Sequence, residues 1–124
     1  MTHASDDLES VLHHDIPLTR EMGLKVRDWQ HGRLELHLPL QANINHKSTM
    51  FGGSLYCGAV LAGWGWLHLQ LREEGIEDGH IVIQEGRSVI RCPLRGMRTL
   101  YARRRRRKCG SGFWRRTSAM AAQG

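Results

Sequence analysis

A polar loop runs into a pair of glycines near the middle of the chain, and its side chains are of types that act on carbonyl groups. The loop residues with amide, imidazole or hydroxyl groups are Asn43, Asn45, His46, Ser48 and Thr49, and they are followed by Phe51, Gly52, Gly53 and Ser54. An amide or hydroxyl group can orient a water molecule or an acyl group, and an imidazole can take up a proton near neutral pH. These residues are therefore candidates for a site that acts on an acyl carbonyl.

Gly52 and Gly53 would add backbone hydrogen-bond donors to this site if a helix begins there. The first N–H groups of an α-helix have no acceptor within the helix and lie at the positive end of its dipole. An acyl oxygen placed against them would be stabilised as it becomes negative, and the loss of one such donor typically lowers a rate by about 100- to 1,000-fold. A purely structural interpretation is also open, in which the Asn, Ser and Thr side chains only satisfy the loop's own backbone.

A long uncharged segment follows the glycines and predicts the helix that would position them. Residues 51–71 contain no Asp, Glu, Lys or Arg, and small residues alternate with large apolar ones. A helix that is apolar nearly all round must be buried, so we expect a core helix from near Gly52 to about Gly75. The segment has about the length that spans a bilayer, but its five glycines and several polar side chains make it only moderately hydrophobic. A membrane helix is therefore the lesser alternative.

Apolar residues with a period of two lie on both sides of a short turn before the loop. Leu24 and Val26 alternate with charged residues, and the leucines at positions 34, 36 and 38 repeat the pattern. His31-Gly32 fits a turn between them, so we predict a β-hairpin with one buried face. The aliphatic segment at residues 80–84 predicts a buried strand that joins the same sheet.

Positive charge is concentrated at the end of the chain. Residues 1–84 hold six Lys or Arg and eleven Asp or Glu, whereas residues 85–124 hold twelve Lys or Arg and one Glu. No apolar alternation follows Cys92, and Arg103 to Lys108 form an unbroken basic block, which is typical of a solvated, disordered tail. We therefore predict a domain at residues 1–92 with an incomplete set of C-terminal strands, and a basic disordered tail at residues 93–124. The alternative for the tail is an arm that binds nucleic acid, with an affinity that falls as salt rises.

Length and cysteine content limit the remaining classes of protein. With 124 residues, 40% of them hydrophobic, the chain can bury one core. Cys57, Cys92 and Cys109 lack CxxC spacing, so the sequence indicates neither a disulfide framework nor a zinc site. The acidic N-terminus has no apolar segment of the kind that signal peptides carry, and we expect a cytoplasmic protein without a metal or a cofactor.

Three blocks in a fixed order carry a resemblance to a known family. They are the loop from Asn43 to Leu55, the segment from Leu61 to Leu69 with its two tryptophans, and residues 80–84. In order and spacing they resemble the thioesterase domain at the C-terminus of YiiD-type acetyltransferases, which also occurs as a stand-alone bacterial protein of the hot dog superfamily. The resemblance covers about residues 8–84.

That resemblance implies both a fold and an activity. The fold would be α+β, a hot dog fold in which an antiparallel sheet wraps around one long central helix. The resemblance also implies a homodimer or higher oligomer formed through sheet edges, without a membrane partner. Its substrates would be thioesters of coenzyme A or acyl carrier protein, with coenzyme A as part of the substrate and not as a cofactor.

The site residues match the family pattern only in part. The better understood hot dog thioesterases carry an Asn, then five residues, then His-Gly-Gly, and an Asp on the helix seven residues after the second Gly. Asn45 and the two glycines keep that spacing, but Phe51 replaces the His and Val60 replaces the Asp. A non-catalytic binder of acyl thioesters is therefore an alternative to a hydrolase.

Roles for the remaining site residues follow from the resemblance. Gly52 N–H would be the oxyanion donor, Asn45 would orient the water or the acyl group, and His46 would be the nearest base. The substrate-binding surface would be completed by Asn43, Thr49, Phe51, Gly53 and Ser54.

The chain departs from the family pattern after residue 84. In the similar family the next strand carries an aromatic residue, two more residues, Pro-Val and shortly an Asp. Permitted GC-rich codons for residues 88–98, read from the third base of the Ser88 codon, encode Gly-Tyr-Pro-Leu-Pro-Val-Ala-Arg-Asp-Ala, which has that pattern. A frame slip between about Glu85 and Ile90 is therefore a hypothesis that the nucleotide sequence of the gene tests.

Overall fold

Three α-helices, a short 3₁₀ helix at Gln41–Asn43 and four antiparallel strands are seen in the computed structural model, which describes residues 3–86, 95, 98–104 and 117–122. The helices are α1 at His3–Asp15, α2 at Pro17–Glu21 and α3 at Gly52–Glu73. The strands are β1 at Lys25–Gln30, β2 at Arg33–Leu38, β3 at Arg98–Arg104 and β4 at Thr117–Ala122. They lie in the order β1-β2-β3-β4 in one sheet.

The predicted hairpin is confirmed, and its turn explains how the two strands meet. His31 and Gly32 have φ angles of 51° and 66°, so both lie in the left-handed region that two-residue hairpin turns of type I′ require. Trp29 pairs with Leu34, and the register shifts between residues 26 and 28. The three leucines of β2 are completely buried, as the period of two predicts.

The predicted core helix is also confirmed as α3, which packs its small residues against the sheet. Its buried residues are Leu55, Gly58, Leu61, Ala62, Gly65, Trp66 and Leu69. A Cβ atom at Gly58 would collide with the side chains of Leu100 and Leu38. Glycine there lets the helix backbone approach the strands closely. Within the described ranges, no helix combines the length and the apolar character that crossing a bilayer requires.

Two indole groups fix the C-terminal half of α3 against the hairpin. Trp29 Nε1 donates to Glu73 Oε1 at 2.6 Å, and Trp66 Nε1 donates to the Gly32 carbonyl at 2.8 Å. Because each indole lies with its body in the core and its N–H on an acceptor, both rings pack without leaving a buried donor unpaired. These bonds set the direction of the helix and thereby the place of its N-terminus.

Two strands lie in the segment that the sequence pattern assigns to a disordered tail. β3 pairs with β2, with Leu36 opposite Leu100, and β4 pairs with β3. Leu100 and Ala102 are completely buried, because alternate residues of β3 reach the core despite their basic neighbours. The expectation that no strand follows Cys92 is therefore corrected for residues 98–104 and 117–122. The boundary between residues 92 and 93 lies outside the described residues.

The strand predicted at residues 80–84 is corrected as well. Residues 80–86 form neither helix nor strand, and Val82 is 77% exposed. The strand that pairs with β2 on the side away from β1 is β3. At the opposite edge of the sheet, the Val26 N–H of β1 donates to Glu9 Oε2 of α1 at 2.9 Å, so that backbone donor is already bonded.

Candidate functional site

The N-terminus of α3 presents backbone N–H groups that no side chain caps. Phe51 is the N-cap residue, with φ −63° and ψ 130°, and no described side chain bonds to the cap. The first hydrogen bond of the helix runs from Leu55 N–H to the Phe51 carbonyl at 3.1 Å. The amides of Gly52, Gly53 and Ser54 precede it and lie at the positive end of the dipole. Gly53 is exposed and Gly52 is half-buried, so these donors are not sealed inside the protein.

The loop before the helix is closed on itself like a short hairpin. Ile44 and Met50 form an antiparallel bridge. Inside it, Asn45 N–H donates to the Thr49 carbonyl at 2.9 Å, and Ser48 N–H donates to the Asn45 carbonyl at 3.0 Å. Ser48 has a φ of 57°, a left-handed conformation that a residue with a side chain adopts only when its surroundings hold it there.

The side chain of Asn45 bonds within this loop. Its Oδ1 accepts from the backbone N–H groups of Lys47 at 2.9 Å and Thr49 at 3.1 Å. Its Nδ2 donates to Thr49 Oγ1 at 2.9 Å, and the same hydroxyl lies 3.1 Å from Oδ1. The side chains of Asn45 and Thr49 therefore bond within the loop itself, as the purely structural interpretation of these residue types predicts.

Asn43 ties the loop to the rest of the fold. Its side chain is only 3% exposed, and Nδ2 donates to the carbonyls of Met22 and Pro39, both at 2.8 Å. Its own carbonyl accepts from Phe51 N–H at 2.7 Å. Asn43 was expected to bind substrate, but its amide points into the protein and holds the start of α3.

The ring of Phe51 lies on the first turn of α3. It is 55% exposed, and a Cβ atom at Gly53 would lie 2.5 Å from Phe51 Cε1. Glycine at position 53 is therefore needed for the ring to rest there. The ring places an exposed apolar surface on the first turn of α3.

The remaining predicted residues lie at the rim of this arrangement. His46 is exposed at the tip of the loop, and Ser54 is half-buried in the first turn of α3. The structure thus brings Asn43, Asn45, Thr49 and Phe51 into one hydrogen-bonded segment, with His46 outside it. Sequence reasoning treated each side chain separately and missed the pairing of Asn45 with Thr49. The signal was present, because Asn commonly bonds to the backbone two residues further on.

Other titratable groups of α3 do not replace the missing carboxylate. Burial raises the pKa of the Cys57 thiol, which disfavours the thiolate that a nucleophile needs. His68 stacks on Trp64 at a centroid distance of 5.1 Å, more than four turns along the helix from Gly52. No three His, Cys, Asp or Glu side chains among the described residues lie together as a metal site.

Comparison with known proteins relates the chain to putative thioesterases. The sequence matches the family described as "Putative thioesterase (yiiD_Cterm)" over residues 5–121, a longer range than residues 8–84. A "putative thioesterase" from Shewanella oneidensis is 30% identical, with a TM-score of 0.79 over 83% of this chain and 75% of that one. A protein of unknown function from Chlorobaculum tepidum is 35% identical, with a TM-score of 0.76 over 80% of this chain and 60% of that one.

A more distant structure shows the same fold. A thioesterase from Haemophilus influenzae is 15% identical, with a TM-score of 0.66 over 87% of this chain and 73% of that one, and its likeness concerns the fold alone. Together with the antiparallel sheet and the long helix, these similarities confirm the α+β hot dog fold.

Proposed function

The chain belongs to the family described as "Putative thioesterase (yiiD_Cterm)", and on that premise we propose that it hydrolyses acyl thioesters of coenzyme A or acyl carrier protein at the N-terminus of α3. The observation that carries the proposal is the start of α3, where glycine amides are uncapped, accessible and at the positive end of a 22-residue helix. Helix N-termini of this kind stabilise negative charge.

The proposed reaction uses these amides as the oxyanion site. The thioester carbonyl oxygen accepts from Gly52 N–H, with Gly53 N–H beside it. A water molecule attacks the carbonyl carbon, and His46 takes the proton that the water loses. The tetrahedral intermediate carries its negative charge against the amides until the carbon–sulfur bond breaks. The proton then passes to the thiolate, so the products are a carboxylic acid and a free thiol.

The surroundings of the amides favour an acyl substrate. The exposed Phe51 ring lies on one side of Gly53, and the exposed Tyr56 lies on the next turn of α3. An acyl chain in contact with such rings would remove apolar surface from water. Ser54 and the backbone around Thr49 would complete the polar side of the substrate site.

A binding protein without catalysis is the second candidate function. The observation that favours it is the absence of any Asp or Glu from residues 51–71, where the related thioesterases carry their catalytic carboxylate. Nucleic-acid binding through the basic tail stays a prediction, because residues 105–116 lie outside the described ranges.

The proposal includes a cytoplasmic homodimer. Val82 and Ile83 follow α3 in a segment that is neither helix nor strand and are 77% and 43% exposed, which supports the presence of a second copy against them. Light scattering of the purified protein would test this, and a monomeric mass across the concentration range would contradict it.

Replacing Gly52 with proline tests the oxyanion site directly. Proline lacks the N–H but suits the first position of a helix, and the ψ of 130° at Phe51 is the conformation that a residue before proline prefers. We expect Gly52→Pro to lower kcat/KM for acyl-CoA hydrolysis by about 100- to 1,000-fold, measured as release of free thiol.

Gly52→Ala is the matched control because alanine keeps the N–H. It should retain most of the activity. If both variants lose activity equally, the N–H is not the oxyanion donor. If the wild-type protein binds acyl-CoA but releases no thiol from a panel of chain lengths, the binding function replaces the hydrolase.

A further inference from the structure

The hydrogen bonds of Asn45 leave its amide oxygen no capacity for a substrate. An amide oxygen has two lone pairs, and those of Asn45 already receive the N–H groups of Lys47 and Thr49. Its amide nitrogen donates to the hydroxyl of Thr49, whose side chain is only 6% exposed. We call this pair of side chains the Asn45–Thr49 clasp.

The clasp is connected to the oxyanion donors by a very short piece of chain. Only Met50 and Phe51 separate Thr49 from Gly52, and Met50 is 4% exposed. The amide of Phe51 is held by the Asn43 carbonyl at 2.7 Å. Met50 and Phe51 give the chain little freedom. A displacement of Thr49 would therefore rotate the peptide plane that carries Gly52 N–H.

The loop would not keep this geometry by its own preference. Ser48 lies in the left-handed region, which is unfavourable for a residue with a Cβ atom. Six hydrogen bonds between Asn45 and residues 47–49 oppose its relaxation. Without them, we expect the loop to sample other conformations.

We propose that Asn45 and Thr49 are positioning residues, which hold the start of α3 so that Gly52 N–H meets the acyl oxygen, and that the amide oxygen of Asn45 does not contact the substrate. This inference rests on the proposed hydrolase function. It differs from the role that the family resemblance gives to Asn45, which is to orient the water or the acyl group itself.

A double-mutant cycle between Asn45→Ala and Thr49→Val tests the clasp in the full-length protein. Each single variant should lower kcat by about 10- to 100-fold with little change in KM, because misplacement of a catalytic group by about 1 Å has effects of that size. The kcat of the double variant should be no lower than that of either single variant, since both substitutions break the same clasp. Thr49→Ser keeps the hydroxyl and should restore activity, and Lys47→Ala is a control in the same loop because only its backbone is bonded.

Hydrogen exchange of the amides of residues 44–53 gives a readout that needs no substrate. Asn45→Ala and Thr49→Val should accelerate exchange in this segment, whereas Lys47→Ala should not. If Asn45→Ala lowers kcat while Thr49→Val leaves it unchanged, or if exchange is the same in all variants, the clasp is overturned. The wild-type protein could also hydrolyse no thioester while exchange is accelerated in both variants. That result would contradict the proposed hydrolase function but support the clasp.

Discussion

At the scale of single residues, the start of α3 combines free backbone N–H groups with an apolar side chain at Phe51. Phe51 stands where the better understood hot dog thioesterases carry a histidine, and its ring lies against Gly53. Val60 stands where they carry an aspartate and is half-buried. In the proposed hydrolysis, α3 would therefore supply backbone donors, and the proton of the attacking water would pass to a residue outside the helix.

His68 should make the stability of the protein depend on pH. Burial, and then the nearby Arg72 guanidinium, lower the pKa of His68 below its ordinary value of 6.5. Below pH 6.5 the folded protein therefore binds fewer protons at His68 than the unfolded chain does. The contribution of His68 to the free energy of unfolding is fully present above that pH and is lost as the pH falls. His37 has the same sign, because burial and then Arg27 lower its pKa.

Thermal unfolding between about pH 7.5 and about pH 5 measures this contribution. The Tm of the wild type should fall over this range, and the fall should be smaller in His68→Asn, which keeps a polar side chain without a titrating imidazole. An equal fall in both proteins would assign the pH dependence to other groups.

At the scale of elements, the glycines of α3 have different roles that the sequence alone does not separate. Gly58 faces the sheet, where the side chains of Leu100 and Leu38 occupy the space of a Cβ atom, and Gly65 lies tightly against Leu34 of β2 and Leu8 of α1. At Gly63 no atom lies within 4 Å of that position. The first two permit close packing, whereas Gly63 only lowers the intrinsic stability of the helix.

Alanine at Gly58 and at Gly63 should therefore have opposite effects on stability. We expect Gly63→Ala to raise the free energy of unfolding by about 0.5–1 kcal/mol, as alanine does in an open helix position. Gly58→Ala should lower it by about 1–3 kcal/mol, because the added methyl group overpacks the contact with β2 and β3. Chemical denaturation of both variants measures the difference, and a stabilised Gly58→Ala would show that the helix does not lie this close to the strands.

At the scale of the whole molecule, the packing of β3 decides whether the basic C-terminal part of the chain belongs to the fold. Leu100 and Ala102 are completely buried, and β3 covers the α3 face that carries Gly58. The family match extends to residue 121 and includes this strand. Without β3, the sheet would leave part of the long helix exposed.

Truncating Leu100 tests this assignment. Leu100→Ala should lower the free energy of unfolding by about 2–5 kcal/mol, as the removal of a buried leucine side chain does. Val82→Ala is the control, since Val82 is 77% exposed and its truncation should have little effect. If Leu100→Ala does not change the free energy of unfolding, β3 is not part of the folded core. The hypothesis of a frame slip between about Glu85 and Ile90 stays a prediction for the gene sequence.

The sequence by itself determined the elements that local patterns define. A period of two with a His-Gly turn predicts the hairpin, and a run without charge predicts α3 and its start at Gly52, because periodicity and turn chemistry act between near neighbours. The same reasoning named the residues around the helix N-terminus as the candidate site.

Only the tertiary structure decided which strands pair and which groups the loop residues bond. The pairing of β3 with β2 depends on contacts between distant segments, and the arginines at positions 98 and 103–107 hide the burial of Leu100 from any local pattern. The same holds for Asn43 and Asn45, whose residue types suit a substrate and a loop backbone equally. Their hydrogen-bond partners could be assigned only once Met22, Pro39 and Thr49 were placed in space around them.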